Sequence, residues 1–168
     1  MTGTLKLRRA LRPADVEAIG ALVRLTGVFS EAEIATAREL AEENLAEGAD
    51  ASGYHFLIAD GTHGIEGYTC FGPIPGTDRR FDLYWIAVHP QNQKAKLGRQ
   101  LMAATEEAVF ELGGVMLFVE TSTRADYAPA HRFYSGCGYR RMAEVADYYA
   151  DGDGLAVYGK RLRKTASG

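Results

Sequence analysis

The sequence predicts an α/β protein with a mixed sheet and helices on both faces of that sheet. Three observations predict this class. Strand-like and helix-like apolar patterns follow one another in the order β-α-α-β-β-β-α-β-α-β-β. Within that order, a strand, a helix and a second, strongly apolar strand over residues 81–121 predict a βαβ unit with a right-handed crossover. The last two strand patterns flank a short turn rich in Asp and Gly, which predicts a closing hairpin.

The first third of the chain is expected to form a strand, two helices and a loop. Pro13 predicts the start of the first helix, and Gly27 predicts its end, because glycine readily takes the left-handed conformation that follows a last helical turn. Ser30 and Glu33 have the spacing of a capping box, which predicts the start of the second helix. The predicted segments are a strand at 4–11, helices at 14–25 and 30–47, and a loop at 48–53.

The rest of the chain alternates strands with two further helices. Three successive strands are expected to pair as an antiparallel meander, and the helix and strand of the βαβ unit follow them. Gly113 and Gly114 predict the end of that helix. The predicted strands cover residues 54–59, 65–74, 80–88, 115–121, 140–149 and 155–162, and the predicted helices cover 96–112 and 128–135.

The composition of the chain argues against several classes of function. The chain has 168 residues, 46% hydrophobic and 24% charged, which is typical of a single domain spanning 1–168. A net charge of −3 argues against nucleic acid as a partner, and no apolar run is long enough to span a membrane. Two cysteines without a C-x-x-C spacing indicate a reduced, cytoplasmic protein, and the four histidines lack metal-ligand spacing, so no metal is expected. A solvated basic tail is predicted at Lys160, Arg161, Arg163 and Lys164.

The turn after the strand at 80–88 predicts a binding site. The strand stops at a polar segment that begins with His89, and a helix begins directly after that segment. Backbone N–H groups gather at a helix start, where the helix dipole favours anions. The sequence therefore predicts a site for a phosphate-bearing ligand at this turn.

Two segments make the prediction more specific. The turn Gln93–Gly98 has glutamine first, an apolar residue fifth and glycine last, with Lys96 in fourth place. The segment Ala130–Tyr139 has the pattern Ala-x-x-Phe-Tyr-x-x-x-Gly-Tyr. In their order and separation, these segments resemble the GNAT superfamily of N-acetyltransferases over essentially the whole chain. The second segment matches that family in full, whereas Lys96 stands where glycine is usual and Tyr127 where asparagine is common.

The resemblance implies that acetyl-CoA is the co-substrate, with its pyrophosphate at the turn and its pantetheine arm along the strand end. A side chain at position 96 can obstruct the phosphates, yet Lys94, Lys96 and Arg99 place three cations around a dianion, so binding is expected to be retained. The alternatives are that Ile86–Val88 is a plain core strand and that the lysines of the turn are ordinary surface residues. The implied cofactor-binding residues are Ile86, Ala87, Val88, Gln93, Lys94, Ala95, Lys96, Leu97, Gly98, Arg99, Tyr127 and Tyr134.

The resemblance also implies a proton donor and a base. Tyr134 is the candidate general acid for the departing thiolate, since a phenol is well matched to a thiol leaving group. Asp82 resembles the strand glutamate that deprotonates the amine in some family members, with Glu120 and Glu66 as further candidates. The alternatives are a core tyrosine and carboxylates that face solvent or an ion-pair partner.

These residues predict an N-acetyltransferase that moves an acetyl group to a primary amine of a small molecule or peptide by direct attack. The alternatives are a catalytically weak or inactive GNAT domain that binds coenzyme A or a protein partner, and a structural domain without a cofactor. The acidic helix at 31–47 favours cationic acceptors as a hypothesis. Dimerisation through the C-terminal strands is common in such folds, which makes a homodimer a further expectation. Four aromatic residues are expected to line the acceptor pocket or to belong to the core: Phe71, Tyr84, Trp85 and Tyr127.

Overall fold

The computed structural model describes residues 6–164, without the side chains of residues 93–95. Within that part of the chain it contains seven strands, five α-helices and two 3-10 helices, the latter at Pro90–Ala95 and Ala125–Tyr127. The elements are β1 (Leu7–Arg8), α1 (Asp15–Leu25), α2 (Glu31–Glu47), α3 (Ala49–Ser52), β2 (His55–Gly61), β3 (Gly64–Pro73), β4 (Arg80–Val88), α4 (Leu97–Glu111), β5 (Met116–Ser122), α5 (Ala128–Gly136), β6 (Arg140–Ala150) and β7 (Asp153–Arg161).

The strands follow one another across the sheet in the order β1-β2-β3-β4-β5-β7-β6. Strands β1, β2 and β3 pair antiparallel, β4 and β5 pair parallel, and β5, β7 and β6 again pair antiparallel. The predicted mixed α/β class and the predicted parallel β4-α4-β5 unit are thereby confirmed. None of the helices in the described residues is long and apolar enough to cross a membrane.

The chain divides into two compact units. The first comprises Met1–Gly72 and Trp85–Thr105, and the second comprises Pro73–Tyr84 and Glu106–Gly168. The chain passes from the second unit to the first within β4 and returns within α4. The expectation of a single domain over residues 1–168 stays a prediction.

Two predictions about the first unit need correction. Thr4 and Leu5 lie outside the described residues, and the strand expected at 4–11 is limited there to Leu7–Arg8. The Arg8 guanidinium donates to Ala10 O, Asp15 and Asp60 at 2.7–3.2 Å, so it links the end of β1 to the start of α1 and to β2.

The segment at 48–53, predicted as a loop, contains the one-turn helix α3. Gly48 and Gly53 flank it with φ angles of 85° and 77°, so its two glycines mark helix ends and not a continuous loop. The capping box of α2 is confirmed, because Ser30 Oγ accepts from Glu33 N at 3.2 Å and Glu33 Oε2 accepts from Ser30 N at 2.7 Å.

A single glycine brings the start of α4 close to the sheet in the first unit. A Cβ atom on Gly67 of β3 would lie 2.9 Å from Leu101 Cδ1, 3.2 Å from Ala87 O and 3.3 Å from Leu97 Cδ2. Such distances are too short for ordinary contacts with a well-packed neighbour. Gly67 therefore allows the first turns of α4 to pack against the end of β4.

The second unit is organised around β5 and the closing hairpin. Phe81 and Leu83 of β4, Leu117 and Val119 of β5, and Tyr158 of β7 are buried. The hairpin turn is tighter than predicted, because Ala150 pairs with Asp153 and leaves only Asp151 and Gly152 between them. Gly152 has a φ of 78°, the left-handed conformation that such two-residue turns require.

Candidate active site

The end of β4 and the start of α4 lie in the first unit and carry most of the predicted cofactor-binding residues. Val88 and Leu97 are buried in one cluster with Ala59 and Leu101, and Ile86 packs against that cluster. Ala87 is also buried. These residues have core side chains, so any contact of this strand with a ligand would run through the backbone.

The turn between β4 and α4 is built by His89 and Pro90. His89 N donates to Glu66 O at 2.8 Å, and His89 Nδ1 accepts from Gln91 N at 3.2 Å at the head of the 3-10 helix. In α4 itself, Gln100 N donates to Lys96 O at 3.1 Å. The N–H groups that precede Gln100 therefore lie at the N-terminal end of the helix, where helix geometry and dipole favour an anion.

Lys96 takes a left-handed backbone conformation, with φ 62° and ψ 14°. This conformation is the one that glycine adopts without steric cost. The lysine therefore preserves the local backbone path of a glycine at the same position, and its side chain is exposed. Arg99 is also exposed, whereas the side chains of Gln93, Lys94 and Ala95 lie outside the described residues.

Replacing Lys96 by glycine is expected to raise the free energy of unfolding by up to about 1 kcal/mol, because the left-handed conformation costs an L-residue about that amount. Acetyl-CoA affinity should fall by about 2–5-fold through loss of one exposed charge and should not disappear. Calorimetric titration and chemical denaturation measure both quantities. Lys96→Ala is the matched control, since it loses the same charge and keeps the strain; a glycine variant less stable than the alanine variant would contradict this conformation.

Tyr134 projects from α5 into a group of aromatic rings in the second unit. Its ring centroid lies 5.6 Å from that of Phe133, 5.7 Å from that of Tyr158 and 6.4 Å from that of Tyr139. The side chain is buried, and this burial raises the pKa of the Tyr134 phenol well above its usual value of 10. The phenol therefore keeps its proton at neutral pH, as a proton donor must.

Tyr158 is itself held by polar contacts. Its hydroxyl accepts from Arg141 Nη2 at 2.9 Å and from Arg141 Nε at 3.2 Å. The His131 ring stacks on the Tyr158 ring with centroids 5.8 Å apart, and His131 Nε2 lies 2.7 Å from Ser122 O. These contacts hold the Tyr158 ring in place beside the Tyr134 ring.

Lys160 does not belong to a solvated tail, contrary to the prediction. It lies within β7, and its ammonium group donates to both carboxylate oxygens of Glu106 at 3.0 Å and to Cys137 O at 2.9 Å. Arg161 also lies in β7. The prediction failed for Lys160 alone, since Arg161, Arg163 and Lys164 are exposed. A run of basic residues near a terminus has no pattern that distinguishes a strand residue with a partly buried partner from a solvated one.

Asp82 and Glu120 share one face of the sheet. Asp82 pairs with Phe118 in the parallel ladder, so Glu120, two residues beyond Phe118, projects on the same side. Asp82 is half-buried and Glu120 is exposed. Burial, and after it the negative charge of Glu120, raises the pKa of Asp82 from 3.8 to about 6.

Asp82 and Tyr134 lie on opposite faces of these strands. Leu83 pairs with Val119, and Val119 pairs with Tyr158, which the Tyr134 ring contacts. Side chains alternate along a strand, so Asp82 points away from the face that carries Tyr158 and Tyr134. The candidate base, Asp82, and the candidate proton donor, Tyr134, therefore lie on different faces of the sheet.

The remaining predicted residues lie elsewhere. Glu66 is in the first unit, where its side chain covers Gly61 of the neighbouring strand. Phe71 is a core residue that stacks on His55, and Trp85 packs edge-on against Phe29 with centroids 4.9 Å apart. Tyr127 is half-buried at the start of α5, and the Arg124 guanidinium lies 5.3 Å above its ring.

The family model of the GNAT acetyltransferase domain matches residues 52–141, which is more than half of the chain. The chain belongs to the GNAT acetyltransferase family. Membership confirms the predicted family, fold and enzyme class, an acyltransferase. The match includes Asp82, Lys96, Glu120 and Tyr134.

Solved structures agree with this assignment. The chain is 39% identical to a GNAT-family protein from Desulfovibrio desulfuricans, with a TM-score of 0.92 over 95% of this chain and 100% of that one. The aminoglycoside 6'-N-acetyltransferase from Enterococcus faecium is 16% identical, with a TM-score of 0.75 over 95% and 98% of the two chains. The ribosomal-protein-S18-alanine N-acetyltransferase from Escherichia coli is 17% identical, with a TM-score of 0.74 over 98% and 97%. The last two similarities show the shared fold alone, and no curated protein matches the sequence.

Sequence reasoning missed several residues around Tyr134 and Glu120. Tyr139 and Tyr158 occur in motifs that the sequence shows, but their contacts with Tyr134 depend on how α5 lies against β7. Tyr149 of β6 is close enough to Glu120 that burial and this charge raise its pKa to about 12. No periodic signal marks these residues, because their proximity arises from strands that are distant in sequence.

Proposed function

We propose that the protein transfers the acetyl group of acetyl-CoA to a primary amine of a small molecule or a peptide by direct attack. The observation that carries the proposal is Asp82, a half-buried carboxylate with a pKa near 6 on the strand that continues to Ile86–Val88. Such a carboxylate is ionised at neutral pH and is a stronger base than an ordinary aspartate. It can attract an alkylammonium group and accept its proton.

The residues at the start of α4 fit a coenzyme with a pyrophosphate. The helix start directs backbone N–H groups outwards, Lys96 keeps the left-handed path, and Lys96 and Arg99 are exposed cations. When bound, acetyl-CoA supplies an activated acetyl group on a thiol that leaves. Backbone groups of Ile86–Val88 would bind the pantetheine amides as an added strand does, and Lys96 and Arg99 would neutralise the phosphates.

The chain's own groups then have separate tasks. Asp82 takes a proton from the attacking amine, and Glu120 on the same face adds negative charge that attracts a cationic acceptor. Tyr134, on the other face, donates its proton to the departing thiolate. Because the base and the acid are different groups, deprotonation of the amine nitrogen does not compete with protonation of the leaving sulfur.

Release of free thiol from acetyl-CoA in the presence of single amines tests this function. We expect turnover with at least one primary amine among polyamines, amino acids, aminoglycosides and short peptides, and none with the matched N,N-dimethyl compound. Acetyl-CoA should also raise the melting temperature, since a ligand that binds the native state stabilises it. A melting shift without turnover on any amine would favour the inactive, coenzyme-binding alternative.

A further inference from the structure

Lys160 connects three parts of the second unit through one ammonium group. It lies near the end of β7 and donates to both oxygens of Glu106, which is on α4. Its third hydrogen bond goes to the carbonyl of Cys137, directly after α5. Only 30% of the Lys160 side chain and 19% of the Glu106 side chain are exposed, so this ion pair is largely shielded from water.

Glu106 also holds Tyr139. The Tyr139 hydroxyl donates to Glu106 Oε1 at 2.9 Å, and the Lys160 ammonium lies 5.5 Å above the Tyr139 ring. Tyr139 is buried, with 3% of its surface exposed. A buried ring with a charge-assisted hydrogen bond at its far end has one defined orientation.

The two residues that this ion pair holds, Tyr139 and Cys137, both contact the backbone carbonyl of Tyr134. The Tyr134 carbonyl accepts from Tyr139 N at 3.0 Å and from Cys137 N at 3.1 Å. The path from that carbonyl through Tyr139, Glu106, Lys160 and Cys137 therefore closes on itself. In addition, the Tyr139 ring meets the Tyr134 ring at 63° with centroids 6.4 Å apart.

We propose that Lys160 and Glu106 are positioning residues for acetyl transfer, which fix the end of α5 and the Tyr139 ring and thereby hold the Tyr134 phenol in place. The proposal rests on the proposed function, in which Tyr134 is the proton donor. Shielded ion pairs are poor sources of stability, because desolvation offsets much of their attraction. Their geometric precision suits a proton donor, for which a displacement of about 1 Å can cost about 100-fold in rate.

Steady-state kinetics of Lys160→Met test the proposal. We expect kcat to fall at least about 10-fold, with the KM for acetyl-CoA within about 3-fold of the wild-type value. Lys160→Arg should recover most of the rate, since a guanidinium can bridge the same carboxylate and carbonyl. Arg8→Met is the control: it breaks the ion pairs of Arg8 with Asp15 and Asp60 in the other unit, and it should lower stability while kcat stays unchanged below the melting transition.

A double-mutant cycle separates positioning from a general structural role. If Lys160 acts through Tyr134, the Lys160→Met change should have almost no effect on kcat in a Tyr134→Phe background. An equal loss of rate in both backgrounds would overturn the proposal. So would a loss confined to stability, with the kcat of the folded variant intact.

Nuclear magnetic resonance of ring-labelled tyrosine gives a readout that does not require an identified amine. The Tyr134 signal, assigned with Tyr134→Phe, should shift or broaden in Lys160→Met and stay unchanged in Arg8→Met. An unchanged signal would overturn the proposal even if the enzyme is active, and a displaced signal would support it even if no amine in the panel is acetylated. If Lys160→Met fails to fold, Glu106→Gln, which keeps the shape of the side chain, undergoes the same kinetic and spectroscopic tests.

Discussion

Replacing Asp82 by asparagine is expected to lower kcat/KM by about 10²–10⁴-fold, the usual contribution of a positioned general base. The amide keeps the shape of the side chain but cannot accept a proton from the amine. In the wild-type protein, kcat/KM should rise with pH through a pKa of about 6, the value to which burial and Glu120 raise the Asp82 carboxyl. In Asp82→Asn that rise should be absent. A variant with the wild-type pH profile would remove Asp82 from the mechanism.

Glu120→Gln is the matched control for the effect of the Glu120 charge on the Asp82 pKa. Glu120 lies on the same face as Asp82, and its charge is the second cause, after burial, of the raised Asp82 pKa. Its removal should therefore shift the rise of the pH profile to lower pH while leaving the rate at high pH within about 10-fold of wild type. A loss as large as that in Asp82→Asn would make Glu120 the base instead.

The Asp82→Asn substitution should stabilise the folded protein at neutral pH. The folded-state pKa of Asp82, about 6, lies above the ordinary value of 3.8, so the folded chain binds more protons than the unfolded chain between these values. The Asp82 contribution to stability is thus present below pH 4 and is lost as pH rises through 6. Asp82→Asn should melt at a higher temperature than wild type at pH 7.5, with the difference vanishing near pH 4.

Patterns local in sequence were enough to predict most elements. The capping box of α2, the bounds of β4 and the parallel βαβ unit follow from residues that are neighbours along the chain. The same holds for the turn before α4, although the sequence did not show that Lys96 would adopt the left-handed backbone of a glycine. The one-turn helix α3 was missed because a single turn between two glycines has too few residues for a periodic signal.

Contacts between distant segments could not be predicted in this way. The partner of Lys160 is Glu106, 54 positions away, and their contact depends on the strand order β5-β7-β6, which places the last strand between the other two. The assignment of Asp82 and Tyr134 to opposite faces requires the register of β4 with β5 and of β5 with β7. Sequence alternation within one strand gives relative faces but not the face that a helix from another segment covers.

Replacing Tyr134 by phenylalanine is expected to lower kcat by about 10²–10³-fold while the KM for acetyl-CoA changes by less than about 3-fold. The ring and its contacts with Tyr139 and Tyr158 remain, and only the proton donor is lost. Because burial raises the pKa of this phenol above 10, the wild-type rate should show no fall with pH that reports Tyr134 ionisation between pH 7 and 10.

Tyr158→Phe is the control for Tyr134→Phe, because it removes a hydroxyl from an adjacent ring that accepts hydrogen bonds from Arg141. If aromatic packing alone matters, both variants should behave alike, with small losses in rate. If proton donation matters, Tyr134→Phe should lose far more than Tyr158→Phe, and the loss should shrink for an acetyl thioester of a more acidic thiol, whose leaving group needs less protonation. Equal effects with both thioesters would exclude Tyr134 as the general acid and leave it a wall of the site.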